Sequence, residues 1–252
     1  MKKGMPKNYF YKTIIYNNIV LYTLYMDTKY LFYVTLIISI IVQIVTGVIE
    51  FAAFFVKVPS VYSIIRQLLL IELVVQVIEG SFYVWLAYNF TKVLNVTPKR
   101  YIDWVITTPS MLITLIMYLI YLNKKAENKT DELEFFTLFK ENSNVIIPVL
   151  ILNWLMLLFG YLGEIRAIPV LLGVFLGFIP FLIYYYLIYV NYVTPNTSGY
   201  LLFWYFFFFW SLYGFVAVLP YYLKNALYNI LDLFAKNFFG LFLSYIIFSG
   251  NY

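Results

Sequence analysis

The chain has 252 residues, of which 63% are hydrophobic and only 12% are charged. A soluble domain carries about 25% charged residues, so the composition excludes an ordinary soluble domain and indicates a membrane protein. Cysteine and histidine are both absent, which excludes disulfides and removes the thiolate and imidazole ligands of metals, so no metal site is expected. The net charge of +5 is modest and does not point to a nucleic-acid partner.

Seven apolar runs are each long enough to cross a bilayer, which takes about 20 helical residues. The breaks between them contain proline, glycine, asparagine or charged residues. The pattern predicts an all-α membrane protein, a seven-transmembrane-helix bundle over residues 30–249. The predicted spans are 30–56, 61–90, 101–122, 144–162, 168–193, 200–219 and 226–249.

Two segments fall outside the predicted spans. Residues 1–29 contain five lysines but lack the apolar core and cleavage site of a secretory signal. We expect them to form an extramembrane segment at the membrane interface. Residues 123–143 are rich in charge, and we expect a solvated loop between the third and fourth spans. A second domain is not indicated.

Polar residues in the first two spans recur at helical spacing. Polar and charged side chains in membrane helices face the bundle interior or an aqueous cavity. These stripes therefore predict a hydrated path, or alternatively interhelical hydrogen bonds worth about 0.6 kcal/mol each. The first stripe contains Ser39, Gln43, Thr46 and Glu50, and the second contains Glu72, Gln76, Glu79 and Tyr83.

The third span opens with the segment RYIDWVITTP, which begins at Arg100. Asp103, Thr107 and Met111 share one helix face, and Thr114 follows three residues later. A carboxylate beside a basic group and hydroxyls can neutralise a buried cation. Alternatively, Asp103 forms an ordinary ion pair with Arg100 at the mouth of the helix. From this span alone, both interpretations are open.

The seventh span contains one lysine, Lys236, in an otherwise apolar stretch with Asp232 one turn before it. An unpaired ammonium in hydrocarbon costs about 3 kcal/mol on insertion scales. Such a lysine must be paired, or its charge must be managed chemically in a Schiff base. The spacing of four residues places Asp232 on the same helix face as Lys236. Asn225 and Asn229 extend this polar face, and Asn237 follows the lysine directly.

Three segments together resemble the microbial (type I) rhodopsins. RYIDWVITTP resembles their third helix, LDLFAK at 231–236 resembles their retinal-binding seventh helix, and WSLY at 210–213 resembles a pocket motif of their sixth helix. The compact size and the Tyr-, Phe-, Asn- and Lys-rich composition are most like those of the viral rhodopsins of giant viruses. The resemblance covers all seven spans in order. It implies a light-driven transporter or photoreceptor and not an enzyme.

The resemblance also implies a cofactor, all-trans retinal bound covalently to Lys236 as a protonated Schiff base. Asp103 and Asp232 would be its counterions, with Arg100 and Thr107 beside them. Nearby carboxylates favour the protonated imine, and rigid indole rings can confine the polyene. The implied retinal pocket consists of Tyr101, Trp104, Thr108, Met111, Met156, Gly160, Gly177, Phe181, Trp210, Tyr213, Gly214 and Ala235.

Two residues of the sixth span depart from the usual pattern of the family. Gly214 stands where a proline usually follows the pocket tyrosine, and Ala217 stands where many pumps have a tryptophan. We expect these smaller residues to leave the ring end of the pocket looser.

The remaining polar residues favour a channel over a pump. Thr114 occupies the internal donor position of bacteriorhodopsin-type pumps, and Lys224 occupies the position of an outer release carboxylate. Glu79 and Asn237 instead match gate positions of channelrhodopsins, and an acidic lining favours cations. We therefore predict a light-gated cation channel. Its expected ion path and gates are Ser39, Gln43, Glu50, Glu72, Gln76, Glu79, Asn229 and Asn237.

Several alternatives stay open at this point. An outward proton pump without an internal carboxylate donor is the main one, and a sensory photoreceptor is a further one. The candidate ions are protons, sodium and calcium, the surroundings are a lipid bilayer, and homo-oligomerisation is undecided. The resemblance implies a multi-pass protein with its N-terminus outside and its C-terminus cytoplasmic, whereas the distribution of Lys and Arg favours the opposite orientation. A contact between Thr108 and Asn153 is expected to tune the gating lifetime.

Overall fold

The structure is a computed structural model that describes residues 7–92, 95–129, 133–194 and 197–252, with side chains described from residue 26 onward. Within these ranges all regular structure is helical. The elements are α1 (Lys7–Phe54), a 3₁₀ turn (Ser60–Tyr62), α2 (Ser63–Asn89), α3 (Thr97–Ala126), α4 (Phe135–Glu141), α5 (Ser143–Glu164), α6 (Val170–Tyr192), α7 (Ser198–Val216), α8 (Tyr221–Asp232), a π-helical turn (Leu233–Asn237) and α9 (Phe238–Ser249).

Seven helical stretches of the described chain are long and apolar enough to cross a membrane, as the sequence predicted. We call them the first to seventh spans: Met26–Phe54, Ser60–Asn89, Thr97–Ala126, Ser143–Glu164, Val170–Tyr192, Ser198–Val216 and Tyr221–Ser249. Successive spans are neighbours, and the seventh also contacts the first and second, which closes the bundle. Large apolar side chains such as Ile44 and Leu171 are exposed on the outer surface, where lipid would cover them.

The fourth and fifth spans pack against each other through glycines. A Cβ atom on Gly173 would lie 2.8 Å from the backbone oxygen of Phe159 and 3.1 Å from the Cα of Gly163. Only a residue without a side chain fits at so close an approach of two helix backbones.

A proline inside the third span is compensated by the fourth. Pro109 has no N–H, so the carbonyl of Val105, one turn earlier, lacks its helical donor. The indole Nε1 of Trp154 donates to this carbonyl at 2.9 Å. The hydrogen bond satisfies a backbone group that would otherwise be unpaired in an apolar medium.

The seventh span is one continuous helix with a π-helical turn at its centre. The turn covers Leu233–Asn237 and separates α8 from α9. Such turns insert one extra residue into an α-helix and occur often at functional sites. The hydroxyl of Tyr205 donates to the carbonyl of Phe234 within the turn at 2.8 Å. This turn carries Lys236.

Some boundaries differ from those predicted. The seventh span begins at Tyr221 rather than at residue 226, because Lys224 and Asn225 lie inside the bundle and not in a loop. In the segment 123–143, expected to be a solvated loop, the third span continues to Ala126 and α4 forms a further short helix. Leu138 of α4 is buried against neighbouring helices, so this apolar side chain orders part of a charged segment.

The N-terminal segment predicted for residues 1–29 lies partly outside the described residues. Residues 1–6 are not described. From Lys7 the described backbone is helical and continuous with the first span.

Candidate functional site

Lys236 lies at the centre of the bundle with its ammonium buried. Only 3% of its side chain is exposed, and its Nζ lies 2.6 Å from Oδ2 of Asp103 on the third span. Two more carboxylates are near: Oε1 of Glu79 at 3.5 Å and Oδ1 of Asp232 at 3.8 Å. The lysine is therefore paired, as a buried ammonium must be, but by three carboxyl groups from three helices.

The three carboxyl groups differ in their own partners. Asp232 accepts hydrogen bonds from the hydroxyls of Tyr83 at 2.7 Å and Tyr213 at 2.6 Å. By contrast, neither carboxyl oxygen of Glu79 accepts a hydrogen bond from any described residue. Glu79 was predicted as a gate residue, and the structure places it closer to Lys236 than Asp232 is.

Arg100 forms its ion pair with Asp232 and not with Asp103. Its Nη1 lies 3.3 Å from Oδ2 of Asp232, so within the described residues the simple pair of Asp103 with Arg100 is not formed. Thr107, expected beside the carboxylate, donates instead to the backbone carbonyl of Asp103 at 3.0 Å. It does so because a threonine hydroxyl in a helix reaches the carbonyl one turn earlier.

Asparagines of the seventh span complete the surroundings of Arg100. Nε of Arg100 donates to Oδ1 of Asn225 at 3.1 Å, and its Nη2 donates to Oδ1 of Asn229. Asn229 in turn donates to Oγ1 of Thr35 at 3.1 Å, and Ser39 donates to the backbone of Asn229 at 3.3 Å. These contacts join the first, third and seventh spans on what we call the Arg100 side of Lys236.

On the opposite side of Lys236, three amide side chains form a closed ring. Nε2 of Gln43 donates to Oδ1 of Asn237 at 3.3 Å, Nδ2 of Asn237 donates to Oε1 of Gln76 at 3.2 Å, and Nε2 of Gln76 donates to Oε1 of Gln43. Around the ring each side chain gives one hydrogen bond and receives one, and Nε2 of Gln76 also donates to the backbone carbonyl of Gln43 at 2.7 Å. The amide ring, as we call Gln43, Gln76 and Asn237, fastens the first, second and seventh spans together.

Beyond the amide ring lie two more buried carboxyl groups, Glu50 on the first span and Glu72 on the second. Both are at most 2% exposed. We call this the Glu50 side of Lys236. The predicted polar stripes are thus all buried and face one another, and together they form a polar column. Its members are Ser39, Gln43, Glu50, Glu72, Gln76, Glu79, Tyr83, Arg100, Asp103, Asn225, Asn229, Asp232, Lys236 and Asn237.

An apolar cavity lies beside Lys236, between it and the fourth to sixth spans. All twelve residues predicted for the retinal pocket line it, together with Lys236. Ala217, expected at the ring end of the pocket, lines it as well. Further lining residues were not predicted: Leu157, Gly173, Val174, Phe178 and Tyr228. Except for Tyr213, which bonds to Asp232, the fourth to sixth spans face this cavity and contribute nothing to the polar column.

Some of the missed residues carried a signal in the sequence. Gly173 and Val174 precede Gly177 by four and three residues, so helical spacing places them on the same face. Tyr228 lies two helical turns before Lys236, and its ring stacks on that of Tyr213 with centroids 5.6 Å apart. Nothing in the sequence distinguishes Phe178 from the many other phenylalanines. In the structure its ring lies beside Gly214.

A separate ion pair joins the C-terminal end of the fourth span to the N-terminal end of the seventh. Nζ of Lys224 lies 2.6 Å from Oε2 of Glu164, and less than a tenth of either side chain is exposed. Lys224, which stands at a position expected to hold a release carboxylate, is thus neutralised locally and does not contact the polar column.

The fold and site define the class of protein: a seven-helix membrane protein with one buried lysine between carboxylates and an apolar cavity. A family profile described as "bacteriorhodopsin-like protein" matches residues 34–250. The chain therefore belongs to the bacteriorhodopsin-like family of microbial rhodopsins. Proteins of this family are mostly light-driven ion transporters or photoreceptors and not classical enzymes.

Solved structures agree with this assignment. The viral rhodopsin OLPVRII is 29% identical with a TM-score of 0.73, over 89% of this chain and 99% of that one. A thermophilic rhodopsin shares 21% identity with a TM-score of 0.67, over 88% and 94%. A proton-pumping rhodopsin from the marine alga Acetabularia acetabulum shares 19% identity with a TM-score of 0.60, over 89% and 95%. No curated protein matches the chain.

The family implies a retinal chromophore, and the residues of the cavity fit such a group. The lining is mostly apolar and aromatic, as in most pockets for small organic molecules, and among the described lysines Lys236 alone lines it. Glycines keep it open: a Cβ atom on Gly160 would meet the hydroxyl of Tyr101 at 2.7 Å, and one on Gly214 would meet the ring of Phe178 at 2.6 Å.

Proposed function

We propose that the protein is a light-gated cation channel. The observation that carries this proposal is the polar column, in which buried polar and acidic side chains of the first, second, third and seventh spans follow one another past Lys236. Polar groups at this depth are costly unless they face one another or water. A column of this length provides side chains that could exchange their mutual hydrogen bonds for bonds to water and cations.

Lys236 is the proposed attachment site of the chromophore. When bound as all-trans retinal in a protonated Schiff base, the group would supply absorption of visible light and an isomerisation that displaces the nitrogen of Lys236. Trp104 and Trp210 line the cavity and are rigid enough to restrict movement along it.

Asp103 is the proposed primary counterion and proton acceptor. Its Oδ2 lies 2.6 Å from Nζ of Lys236, within the range over which a proton is transferred directly. Transfer of a proton from Nζ to Oδ2 would neutralise both groups. Asp232 is less suited to accept it, because its oxygens already bind Tyr83, Tyr213 and Arg100.

Neutralisation of Lys236 and Asp103 would weaken the contacts that hold the first, second and seventh spans together near Lys236. Glu79 would lose the cation that lies 3.5 Å from its carboxyl group. The amide ring lies next to this site through Asn237, which follows Lys236 in the chain. We propose that the closed ring blocks the column at rest and opens when Lys236 shifts.

The expected permeant ions are cations, because the column contains Glu79, Glu72 and Glu50. Protons and sodium are the first candidates and calcium is a further one. We propose an orientation with the N-terminus outside and the C-terminus cytoplasmic, so that the Glu50 side of Lys236 faces the cytoplasm.

Voltage clamp of illuminated cells that express the protein tests this function. A channel gives a photocurrent that reverses sign as the membrane voltage is varied, with a reversal potential that follows the cation gradients. A current in one direction at all voltages would contradict the channel and support a pump. Absorbance changes without any current would support a sensory role.

An outward proton pump is the second candidate, and one observation favours it. The amide ring closes the column by direct hydrogen bonds, and the two carboxyl groups beyond it lie on the side from which a pump would return a proton to Lys236.

A further inference from the structure

Glu50 and Glu72 form a carboxyl pair to which neither the channel nor its resting block assigns a chemical step. They lie on neighbouring spans, the first and the second, and they are 1% and 2% exposed. The pair lies beyond the amide ring as seen from Lys236. Glu50 follows the ring residue Gln43 by two helical turns on the first span, and Gly240, which lies next to the Glu50 carboxyl group, follows Lys236 by one turn on the seventh. At 1.5 Å per residue, two turns correspond to about 10 Å along a helix.

The seventh span is shaped to admit the carboxyl group of Glu50. A Cβ atom on Gly240 would overlap the Glu50 carboxyl group, so the glycine leaves room for that group in its present position. The nearest hydroxyl of that span, on Ser244, donates to the backbone carbonyl of Gly240 at 2.8 Å. It is therefore not available to Glu50.

Glu72 is placed against the third span. Thr114 lies beside its carboxyl group, but the Thr114 hydroxyl donates to the backbone of Ser110 at 2.9 Å. Oε2 of Glu50 and Oε1 of Glu72 have no hydrogen-bond partner among the described residues. Nor does either carboxyl group form an ion pair with a described lysine or arginine.

An ionised carboxylate that is buried without a paired cation is costly, and two such carboxylates on neighbouring spans repel each other. A proton held by the pair would remove this cost.

We propose that Glu50 and Glu72 together store the proton that returns to Lys236. The inference rests on the proposed function in one respect, namely that the nitrogen of Lys236 loses a proton to Asp103 after light absorption. In the return step an O–H bond of the pair breaks, an N–H bond at Nζ of Lys236 forms, and the carboxylate that remains takes a proton from the aqueous phase on its own side.

The pair lies where it could replace the proton donor that the third span lacks at Thr114. Thr114 cannot supply a proton near neutral pH, but it lies beside Glu72, which can. The amide ring stands between the pair and Lys236, and amides do not ionise. The proton would therefore cross on water that enters when the ring opens, which ties its return to the same movement that admits ions.

Glu50→Gln and Glu72→Gln test the store, with Ser244→Ala as a matched control in the same layer of the bundle. These changes keep the volume of each side chain nearly constant. The first measurement is the infrared C=O stretch of protonated carboxyl groups, recorded in the dark on protein prepared with and without retinal. We expect intensity to be lost in at least one Gln variant and in the double variant, and to be retained in Ser244→Ala.

The second measurement is the rate at which Lys236 regains its proton after a flash, followed by visible absorbance. Loss of a positioned proton donor should slow this step by about 10²-fold or more. It should also make the rate proportional to the external proton concentration, and azide, a small permeant weak acid, should restore it. Ser244→Ala should behave as the parent protein.

The outcomes separate the store from the channel. Unchanged infrared intensity in all variants would overturn the proton store even if the photocurrents reverse sign. Lost intensity with an unchanged return rate would overturn the transfer step and leave a structural pair. If the parent protein forms no visible chromophore, the proposed function fails, whereas the infrared result without retinal still decides whether the pair holds a proton.

Discussion

Nζ of Lys236 lies 2.6 Å from Oδ2 of Asp103, whereas Nη1 of Arg100 lies 3.3 Å from Oδ2 of Asp232. The two cations thus pair with different aspartates, one on the third span and one on the seventh. Asp232 is also held by two tyrosine hydroxyls, which is why we propose Asp103, and not Asp232, as the carboxylate that takes up the proton.

Lys236→Ala should abolish visible absorbance in protein reconstituted with retinal, because no other lysine with a described side chain lines the cavity. The measurement is the absorption spectrum after addition of retinal and purification. Lys224→Met combined with Glu164→Gln is the matched control, since it removes a second buried lysine together with its partner. The control should keep its colour. A coloured Lys236→Ala protein would refute the proposed attachment site.

Glu79→Gln should change the proton-to-sodium permeability ratio severalfold, because it removes an ionisable group 3.5 Å from Lys236. It should also shift the absorption maximum, since the charge around Lys236 changes. Reversal potentials in two sodium and two proton gradients give the ratio. Glu164→Gln, outside the polar column, should leave the ratio as it is. Equal ratios in the parent and in Glu79→Gln would remove Glu79 from the ion path.

Thr108 and Asn153 should act as a unit on the lifetime of the conducting state. Nδ2 of Asn153 donates to Oγ1 of Thr108 at 2.8 Å, and Thr108 donates to the carbonyl of Trp104, which lines the cavity. Thr108→Ala and Asn153→Ala should each slow the decay of the photocurrent, and the double variant should add little to either. Ser110→Ala, whose hydroxyl bonds only within its own helix, should not change the decay. Additive effects of the two substitutions would show that the contact is not the cause.

Trp154→Phe should lower the free energy of unfolding by about 1 kcal/mol, because it leaves the carbonyl of Val105 without a donor. In the background of Pro109→Ala the same substitution should cost less, since residue 109 then supplies the helical N–H. Unfolding of the four proteins in detergent gives the coupling energy as a double-mutant cycle. A coupling energy of zero would mean that Trp154 contributes only through packing.

The sequence predicted the seven helices and the lysine with its two aspartates, because these follow from hydropathy and from spacing within single helices. The family and the fold were recognised from the motifs of the third, sixth and seventh spans. The twelve predicted pocket residues all line the cavity, since each lay in a motif or at helical spacing from one. Their roles toward retinal stay predictions.

Other features depend on how neighbouring helices align along the bundle axis. The closeness of Glu79 to Lys236 and the closure of the amide ring both depend on the relative heights of two or three helices along the bundle axis. A single sequence does not contain these heights. The π-helical turn at Leu233–Asn237 adds to the difficulty, because one inserted residue changes which side chains of α9 face inward. The close approach of the Glu50 carboxyl group to Gly240 could be found only from the assembled bundle.

The cavity and the polar column use different parts of the bundle. The first and second spans supply no residue to the cavity, and the fourth and fifth supply none to the polar column, so the two regions share mainly Lys236 and the third and seventh spans. If the protein is the channel proposed above, substitutions at Gly214 and Ala217 should therefore alter spectral tuning with little effect on ion selectivity. Substitutions on the first two spans away from Lys236, such as those at Ser39, should do the reverse, whereas Glu79 lies close enough to Lys236 to affect both properties. On the proposed function, the colour would be set mainly by the cavity and the conductance mainly by the polar column, so that one could be engineered with little change in the other.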